Sequence, residues 1–284
     1  MAQLNLRLAE NAPGELFVDS TCIDCDTCRE LAPRTFGSAR NGQSFVREQP
    51  ANDAEWRDAL KAVVSCPTAS IGAERSARAA AHDLPVPLLP GSPVYRCGYS
   101  SEDSYGAQSY YVPGHRLLVD SPRAASPLLK RLAELGGVQR MFLTHRDDVA
   151  DHEEFHARFG CQRILHRDDV SEGTRSVELQ PQGREPRELW PGALLIPVPG
   201  HTRGSCALLI DGTYLFTGDH LWGTDDGKPA MGRGVCWYSW DEQRKSLEAL
   251  LDHSFEWILP GHGRSLHLPK AQLRASLAAL AKVG

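Results

Sequence analysis

Four cysteines set the strongest condition on how this chain can fold. Cys22, Cys25 and Cys28 stand at i, i+3 and i+6, and Cys66 follows 38 positions later, just before Pro67. Three thiolates at that spacing wrap a short loop around three corners of an iron–sulfur cube, and a fourth cysteine followed by a turn-forming proline closes it. A structural zinc is the rival reading. Zinc sites usually pair two C-x2-C knuckles, whereas here one knuckle is triple and the other single, so the spacing favours a cluster. Between the two cysteine groups, Asp53 can cap a helix in which Trp56, Leu60, Val63 and Val64 form an apolar stripe.

This stretch resembles a bacterial-type ferredoxin with one 4Fe–4S cluster. It lacks the second C-x2-C-x2-C run of the two-cluster kind. The resemblance implies a ferredoxin-like domain over residues 1–72, with Cys22, Cys25, Cys28 and Cys66 as the cluster ligands. Residues 73–92 are rich in Ala, Arg and Pro and read as a linker. From Pro93 to Gly284 short strands and helices alternate, the pattern of a second, larger domain.

Four loops of that second region carry metal-ligand residue types, each just beyond an apolar run. Met141-Phe142-Leu143 leads into His145-Arg146-Asp147-Asp148-Val149-Ala150-Asp151-His152. His201, Asp219 and His262 each follow a glycine at the end of a strand-like segment. Strand-end loops are where ligands bind in α/β folds, and a set of His and Asp side chains can hold one or two divalent cations.

In these residues the chain resembles the metallo-β-lactamase superfamily, and its glyoxalase-II-like members in particular, over about residues 93–270. The resemblance implies an α+β chain: a small iron–sulfur domain followed by an αββα sandwich. It implies that His145 and His201 bind one metal, that Asp151, His152 and His262 bind a second, and that Asp219 bridges them. The family motif is His-x-His-x-Asp-His. Here the Asp-His pair comes two residues late and the second His is missing, so either Asp147 or Asp148 stands in for it or the first site is weak or empty. A carboxylate there hardens the ligand set and moves preference from zinc toward iron or manganese.

Two chemistries follow. A metal-bound hydroxide can attack an ester, thioester or related bond of a small-molecule substrate, with Asp151 orienting the hydroxide or carrying its proton. Alternatively, iron at the His/Asp site takes electrons from the cluster, making a redox enzyme. A third reading is a non-catalytic electron-transfer adaptor serving a redox partner protein. Cys206 reads as structural. His166, in a second His-Arg-Asp-Asp-Val run, reads as a surface residue or as support behind a ligand. Trp222, Trp237, Tyr238 and Trp240 flank a Gly-containing loop that is either a substrate lid or an ordinary anchored loop. Arg203 and Arg233 can meet an anionic substrate.

Composition bounds the rest. The 284 residues are 41% hydrophobic and 24% charged with a net charge of −5, which does not favour nucleic acid. No apolar run approaches the roughly 20 residues that span a bilayer, and Met1–Glu10 has no signal-peptide core, so a cytoplasmic location is expected. Metal analysis of anaerobically purified protein separates the two main chemistries. Zinc beside one cluster's iron is the expected result for a hydrolase; iron in excess of one cluster, with oxygen consumption on reduction, is the result expected of a redox enzyme.

Overall fold

The computed structural model describes residues 1–283. The chain divides into two units: Met1–Arg140 with Ala150–Cys161, and Met141–Val149 with the chain from Gln162 onward. The sequence reading set the division elsewhere, at a linker over 73–92. In the structure the cysteine-bearing segment and the strands that follow it fold together.

The first unit begins with β1 (Phe17–Val18), α1 (Thr27–Leu31), β2 (Phe36–Ser38), β3 (Ser44–Val46), α2 (Asp53–Ser65) and β4 (Ile71–Gly72). β1 pairs antiparallel with β4, so the chain leaving Cys66 returns to the start of the cysteine loop. The cap of α2 is Asn52 rather than Asp53: its side chain accepts the Glu55 N–H at 3.0 Å. The buried face of α2 is Trp56, Ala59, Ala62 and Ser65. Leu60, Val63 and Val64 are only half-buried. The helical period is as expected, but α1 packs closely on α2, and small residues allow that approach where large ones do not.

The expected linker is packed structure. Leu84 is fully buried, Asp83 pairs with Arg57 at 2.5 Å, and the Tyr99 hydroxyl donates to the Ala81 carbonyl at 2.7 Å. Val86–Pro87 forms β5, which leads an antiparallel run with β6 (Tyr95–Arg96), β7 (Tyr110–Val112) and β8 (Leu117–Val119). Helices α3 (Ser126–Glu134) and α4 (His152–Phe159) complete the first unit.

The second unit contains β9 (Arg140–Phe142, entering it at Met141), β10 (Gln162–Ile164), β11 (Arg187–Trp190), β12 (Ala193–Pro197), β13 (Cys206–Ile210) and β14 (Tyr214–Gly218). A ribbon of β15 (Trp222–Gly223) and β16 (Pro229–Ala230) follows, then α5 (Trp240–Leu250), β17 (Trp257–Pro260), β18 (Leu266–His267) and α6 (Lys270–Val283). The main sheet has the order β11-β12-β13-β14-β17-β18. Its strands alternate as a two-sided sheet must. Ile196, Ala207, Leu209, Leu215 and Ile258 pack with Leu247 and Leu250 of α5 and Leu273 and Leu277 of α6. On the other face Leu195 stands opposite Leu208, Leu208 opposite Phe216, and Phe216 opposite Leu259. All four are buried, and each side chain of this kind contributes about 1.5–3 kcal/mol when removed from water. With both faces covered, the strands read in sequence as near-continuous apolar runs. Among the described residues no helix is long and apolar enough to cross a membrane.

One ion pair in this unit makes stability pH-dependent. Arg163 of β10 donates from Nη2 to Glu178 Oε1 at 2.7 Å, and its backbone N–H donates to Oε2 at 2.7 Å. Burial would raise the Glu178 carboxyl, but the hydrogen bonds from Arg163 override it and hold the pKa at about 2. A carboxylate held below its ordinary value stabilises the fold above that ordinary value, and the contribution is lost as pH falls through the folded pKa. E178Q is therefore expected to lower Tm at pH 7, with the gap to the unaltered protein closing as pH drops from about 4.5 toward 2. Parallel Tm–pH curves for the two proteins would contradict this assignment.

Candidate functional site

The four cysteines line one pocket together with Val18, Ile23, Thr27, Ser44, Ser70 and Ile71. The loop that carries three of them turns sharply at Asp24 and Asp26, whose φ values are 59° and 63°. Buried Arg29 holds that turn: Nη2 donates to Asp24 Oδ1 at 2.6 Å, Nε to Asp26 Oδ1 at 2.5 Å, and Nη1 to the Gly42 carbonyl at 2.8 Å. Two sulfurs accept backbone N–H groups, Cys22 Sγ from Ser44 at 3.4 Å and Cys66 Sγ from Ser70 at 3.3 Å. Such hydrogen bonds are among the means by which a protein tunes a cluster. Burial pushes the Cys25 thiol up to about 12, so the thiolates a cluster requires need a cationic group among them.

The second candidate centre is built by four loops of the second unit. β14 and β17 run parallel with Gly218 opposite Pro260. Parallel neighbours end at the same edge, so the residues just beyond them, Asp219 and His262, lie side by side. His262 Nδ1 donates to Asp219 Oδ1 at 2.8 Å and Oδ2 at 2.9 Å. Pro197 stands opposite Cys206, which puts His201 on the connection from β12 to β13. The Cys206 N–H donates to the Thr144 carbonyl at 2.8 Å, tying the loop after β9 to the same edge.

The His145 and His201 rings meet edge to face with centroids 4.7 Å apart. The Nδ1 atom of each is engaged, His201 with the Val235 carbonyl at 2.5 Å and His145 with Thr144 Oγ1 at 3.0 Å. Engaging one ring nitrogen directs the other to a ligand. Both Nε2 atoms are buried and have no hydrogen-bond partner. Carboxylates surround them. Asp147 Oδ2 is 3.3 Å from His201 Nε2 and 3.9 Å from His145 Nε2. Asp219 Oδ2 is 3.7 and 3.8 Å from the same two atoms, and Asp148 Oδ2 is 3.9 Å from His145 Nε2. Two donor sets can each hold a metal ion: His145, Asp147 and His201, and His145, Asp148 and Asp219.

The electrostatics suit that role. Burial pushes the His145 pKa down against the pull of Asp219, leaving the neutral imidazole that ligates. His201, whose Nε2 is 3.3 Å away, holds Asp147 below its ordinary value. Burial would raise Asp219, but His262 beside it overrides that effect and keeps it ionised. Gly261 makes the close approach possible: a Cβ there would lie 2.6 Å from Asp148 Oδ2 and 2.8 Å from Asp219 Oδ1.

Asp151 and His152 are the residues expected to bind the second metal with His262. Both fall in the first unit. Asp151 Oδ2 accepts the Ala124 N–H at 2.7 Å, so that oxygen anchors backbone. His152 is buried as the first residue of α4. Asp147 and Asp148 lie within ion-pairing distance of His145.

Asp169 was not singled out from sequence. It is buried and joins two of the site loops. Its Oδ2 accepts from Thr202 Oγ1 and from the Arg146 N–H at 3.1 Å, and its Oδ1 accepts the Gly204 N–H at 2.7 Å. The repeated His-Arg-Asp-Asp-Val run drew attention to its segment but carried no sign of this role. His166 in that run is buried, with Nε2 at 3.1 Å from the Gly183 carbonyl, so it is not a surface residue. His220, beside Asp219, is also buried, which pushes it down to about 3. Cys206 donates to the Gly204 carbonyl at 3.4 Å and burial pushes its thiol up, which suits structure and not nucleophilic attack.

The aromatic loop straps His201. The Trp237 N–H donates to the His201 carbonyl at 2.9 Å and the Ser239 N–H to the Gly200 carbonyl at 3.0 Å. The backbone is thus pinned while Trp237 is 62% exposed, its ring 6.1 Å from that of His201. Arg203 is 3.4 Å from Asp168, and Arg233 is exposed.

Residues 18–73 match the family described as the 4Fe–4S single cluster domain of ferredoxin I. Among solved structures the chain is similar to TMB-1, at 16% identity and a TM-score of 0.52, over 67% of this chain and 93% of that one. It is similar to the DIM-1 metallo-β-lactamase at 17% identity and 0.51, over 67% and 93%. It is also similar to VMB-1 at pH 5.5, at 16% identity and 0.51, over 68% and 94%. Identities this low carry the fold and not the activity. No curated protein matches the chain.

In D169N the amide presents an N–H where backbone and hydroxyl donors already point. Loss of a group that orients metal-bearing loops typically costs 10–100-fold in affinity. D169N is expected to bind zinc about 10–100-fold more weakly while keeping its far-UV circular dichroism, measured by titration against a chelator of known affinity. Unchanged zinc affinity would remove Asp169 from the account of the site.

Proposed function

We propose that this chain, a single-cluster 4Fe–4S ferredoxin domain joined to a metallo-β-lactamase fold, is a metal-dependent hydrolase of a small-molecule ester, thioester or related substrate. The observation that carries the proposal is the pair of buried, unpartnered Nε2 atoms of His145 and His201 facing three carboxylates. Neutral polar atoms so buried are costly without a partner, and a cation satisfies both nitrogens and carboxylates at once. In this reading His145, Asp147 and His201 hold one divalent ion. Asp148, Asp219 and His262 form a second position.

A divalent ion held there would supply Lewis-acid chemistry, activating water near neutral pH and polarising the scissile carbonyl. The chain's own residues do the rest. His262 donates a hydrogen bond to Asp219 and keeps that carboxylate oriented. Asp148, buried against Gly261, takes the proton-handling role expected of Asp151, because Asp151 Oδ2 is committed to Ala124. Trp237, exposed beside His201 on a pinned backbone, offers a flat apolar surface to the substrate. Cys22, Cys25, Cys28 and Cys66 hold the cluster.

A second reading has an observation of its own. His145, Asp147 and His201 make a two-histidine, one-carboxylate set, the donor type of non-haem iron chemistry. Iron there, fed by the cluster and a redox partner protein, would reduce oxygen.

The test is to load the protein with zinc or with iron and follow hydrolysis of a panel of esters and thioesters, alongside oxygen uptake under reducing conditions. Zinc-supported turnover that H201A abolishes, by more than the roughly 100-fold cost of losing an outer-shell partner, is the expected result. Oxygen uptake by the iron form, with no hydrolysis by either form, would replace the hydrolase reading with the second.

A further inference from the structure

The metal-ligand motif crosses from one unit to the other. His145–Val149 belongs to the second unit, and from Ala150 the chain belongs to the first, which also holds the cysteine pocket. Two hydrogen bonds receive it there. The Ala150 N–H donates to Ser104 Oγ at 3.1 Å, and Asp151 Oδ2 accepts the Ala124 N–H at 2.7 Å. Ser104 is fully buried.

The segments that make these bonds also grip both limbs of the cysteine pocket. Gly106, at φ +84°, lies so close that a Cβ would be 2.4 Å from Cys25 Cβ and 3.1 Å from Pro67 Cγ. Thr27 Oγ1 is 2.9 Å from Ser100 Oγ, and the pair is buried. The Ser100 N–H donates to the Ser65 carbonyl at 3.2 Å. Arg123, next to Ala124, donates from Nε to the Ser100 carbonyl at 2.9 Å and from Nη2 to the Val64 carbonyl at 2.8 Å. Ser100, Ser104, Gly106 and Arg123 all lie outside the ferredoxin match at 18–73. Ser100, Gly106 and Arg123 contact the loop of Cys25 and the end of α2 before Cys66, and Ser104 and Ala124, in the same segments, secure Ala150 and Asp151.

We propose that Ser100–Gly106 and Arg123–Ala124 couple the cluster pocket to the metal-ligand loop, so that a filled cysteine site tightens divalent-metal binding at His145, Asp147 and His201. This rests on the metal-site reading above and adds its regulation. Buried, tightly packed contacts transmit small shifts and do not absorb them. With the cluster in place, the Cys25 loop and the end of α2 are held, the turn at Ser104 keeps its position, and Ala150 fixes the exit of the ligand loop. Loss of the cluster releases that support. Coupling is reciprocal, so a bound divalent ion also stabilises the cluster by the same factor.

The experiment uses the full chain, with the cluster intact or removed under anaerobic conditions, and titrates manganese(II) by the electron paramagnetic resonance of the free ion. Manganese(II) prefers oxygen and nitrogen donors, so vacated cysteines do not compete for it. Unaltered protein is expected to bind manganese(II) about 5- to 150-fold more tightly with the cluster than without it. S104A, retaining the cluster's own spectrum, is expected to lose most of that difference. Equal affinity with and without the cluster overturns the coupling and leaves the metal site standing. Full coupling in both S104A and a second variant, R123A, also overturns it. Absence of manganese(II) binding in every form sinks the metal-site reading, and the coupling with it.

Discussion

The second unit is arranged around two imidazole nitrogens that have given up water. His145 Nε2 and His201 Nε2 are buried without hydrogen-bond partners, a cost on the order of 1–3 kcal/mol each. A chain spends that much stability only where surrounding structure leaves the rings no alternative. Thr144 Oγ1 and the Val235 carbonyl occupy the other ring nitrogens. The parallel pairing of β14 with β17 supplies Asp219 beside His262. The carboxylate of Asp169 ties the loop of Arg146 to that of Thr202 and Gly204. The helices on one face and the apolar row on the other keep the sheet edge in place, so that the loops beyond it inherit its order.

The donors gathered there are harder than three histidines would be. Asp147 stands in reach of both imidazoles, and Asp148 reaches His145 from the side of Asp219. Each added carboxylate brings negative charge and an oxygen ligand, which widens the range of acceptable metals beyond zinc. The same donor set therefore suits either of the two proposed chemistries. The four-cysteine pocket makes iron chemistry a reasonable companion to the hydrolase reading.

The fusion of the two parts has a structural meaning that a linker would not have. Leu84 is buried and Val86–Pro87 is a strand, so residues 73–92 belong to a packed unit and not to a tether. Arg96 and Glu30 form a buried ion pair between β6 and the end of α1. Gly106 presses on Cys25. The cysteine-bearing segment and the strands that follow it belong to one unit.

Much of this was legible in the sequence because it is local. The C-x2-C-x2-C spacing limits what a loop can wrap, whatever surrounds it. β12 and β13 are legible as uninterrupted apolar runs because each is buried along nearly its whole length. The loops of His145, His201, Asp219 and His262 were found because each follows such a run. What the sequence could not settle depends on partners far along the chain. Helical periodicity shows that α2 has an apolar side, but only the approach of α1 selects Ala59 and Ala62 over Leu60 and Val63. Motif spacing pointed to Asp151 and His152; the tertiary structure adds that Asp151 Oδ2 accepts the Ala124 N–H and that Asp147 and Asp148 stand beside His145. Asp169 carries no local mark, since a buried carboxylate and a surface one are written with the same letter. Composition and spacing decide which groups are present and how far apart the backbone holds them; the side chain each one meets is decided by tertiary packing, because contact and burial depend on segments that the linear order does not place together.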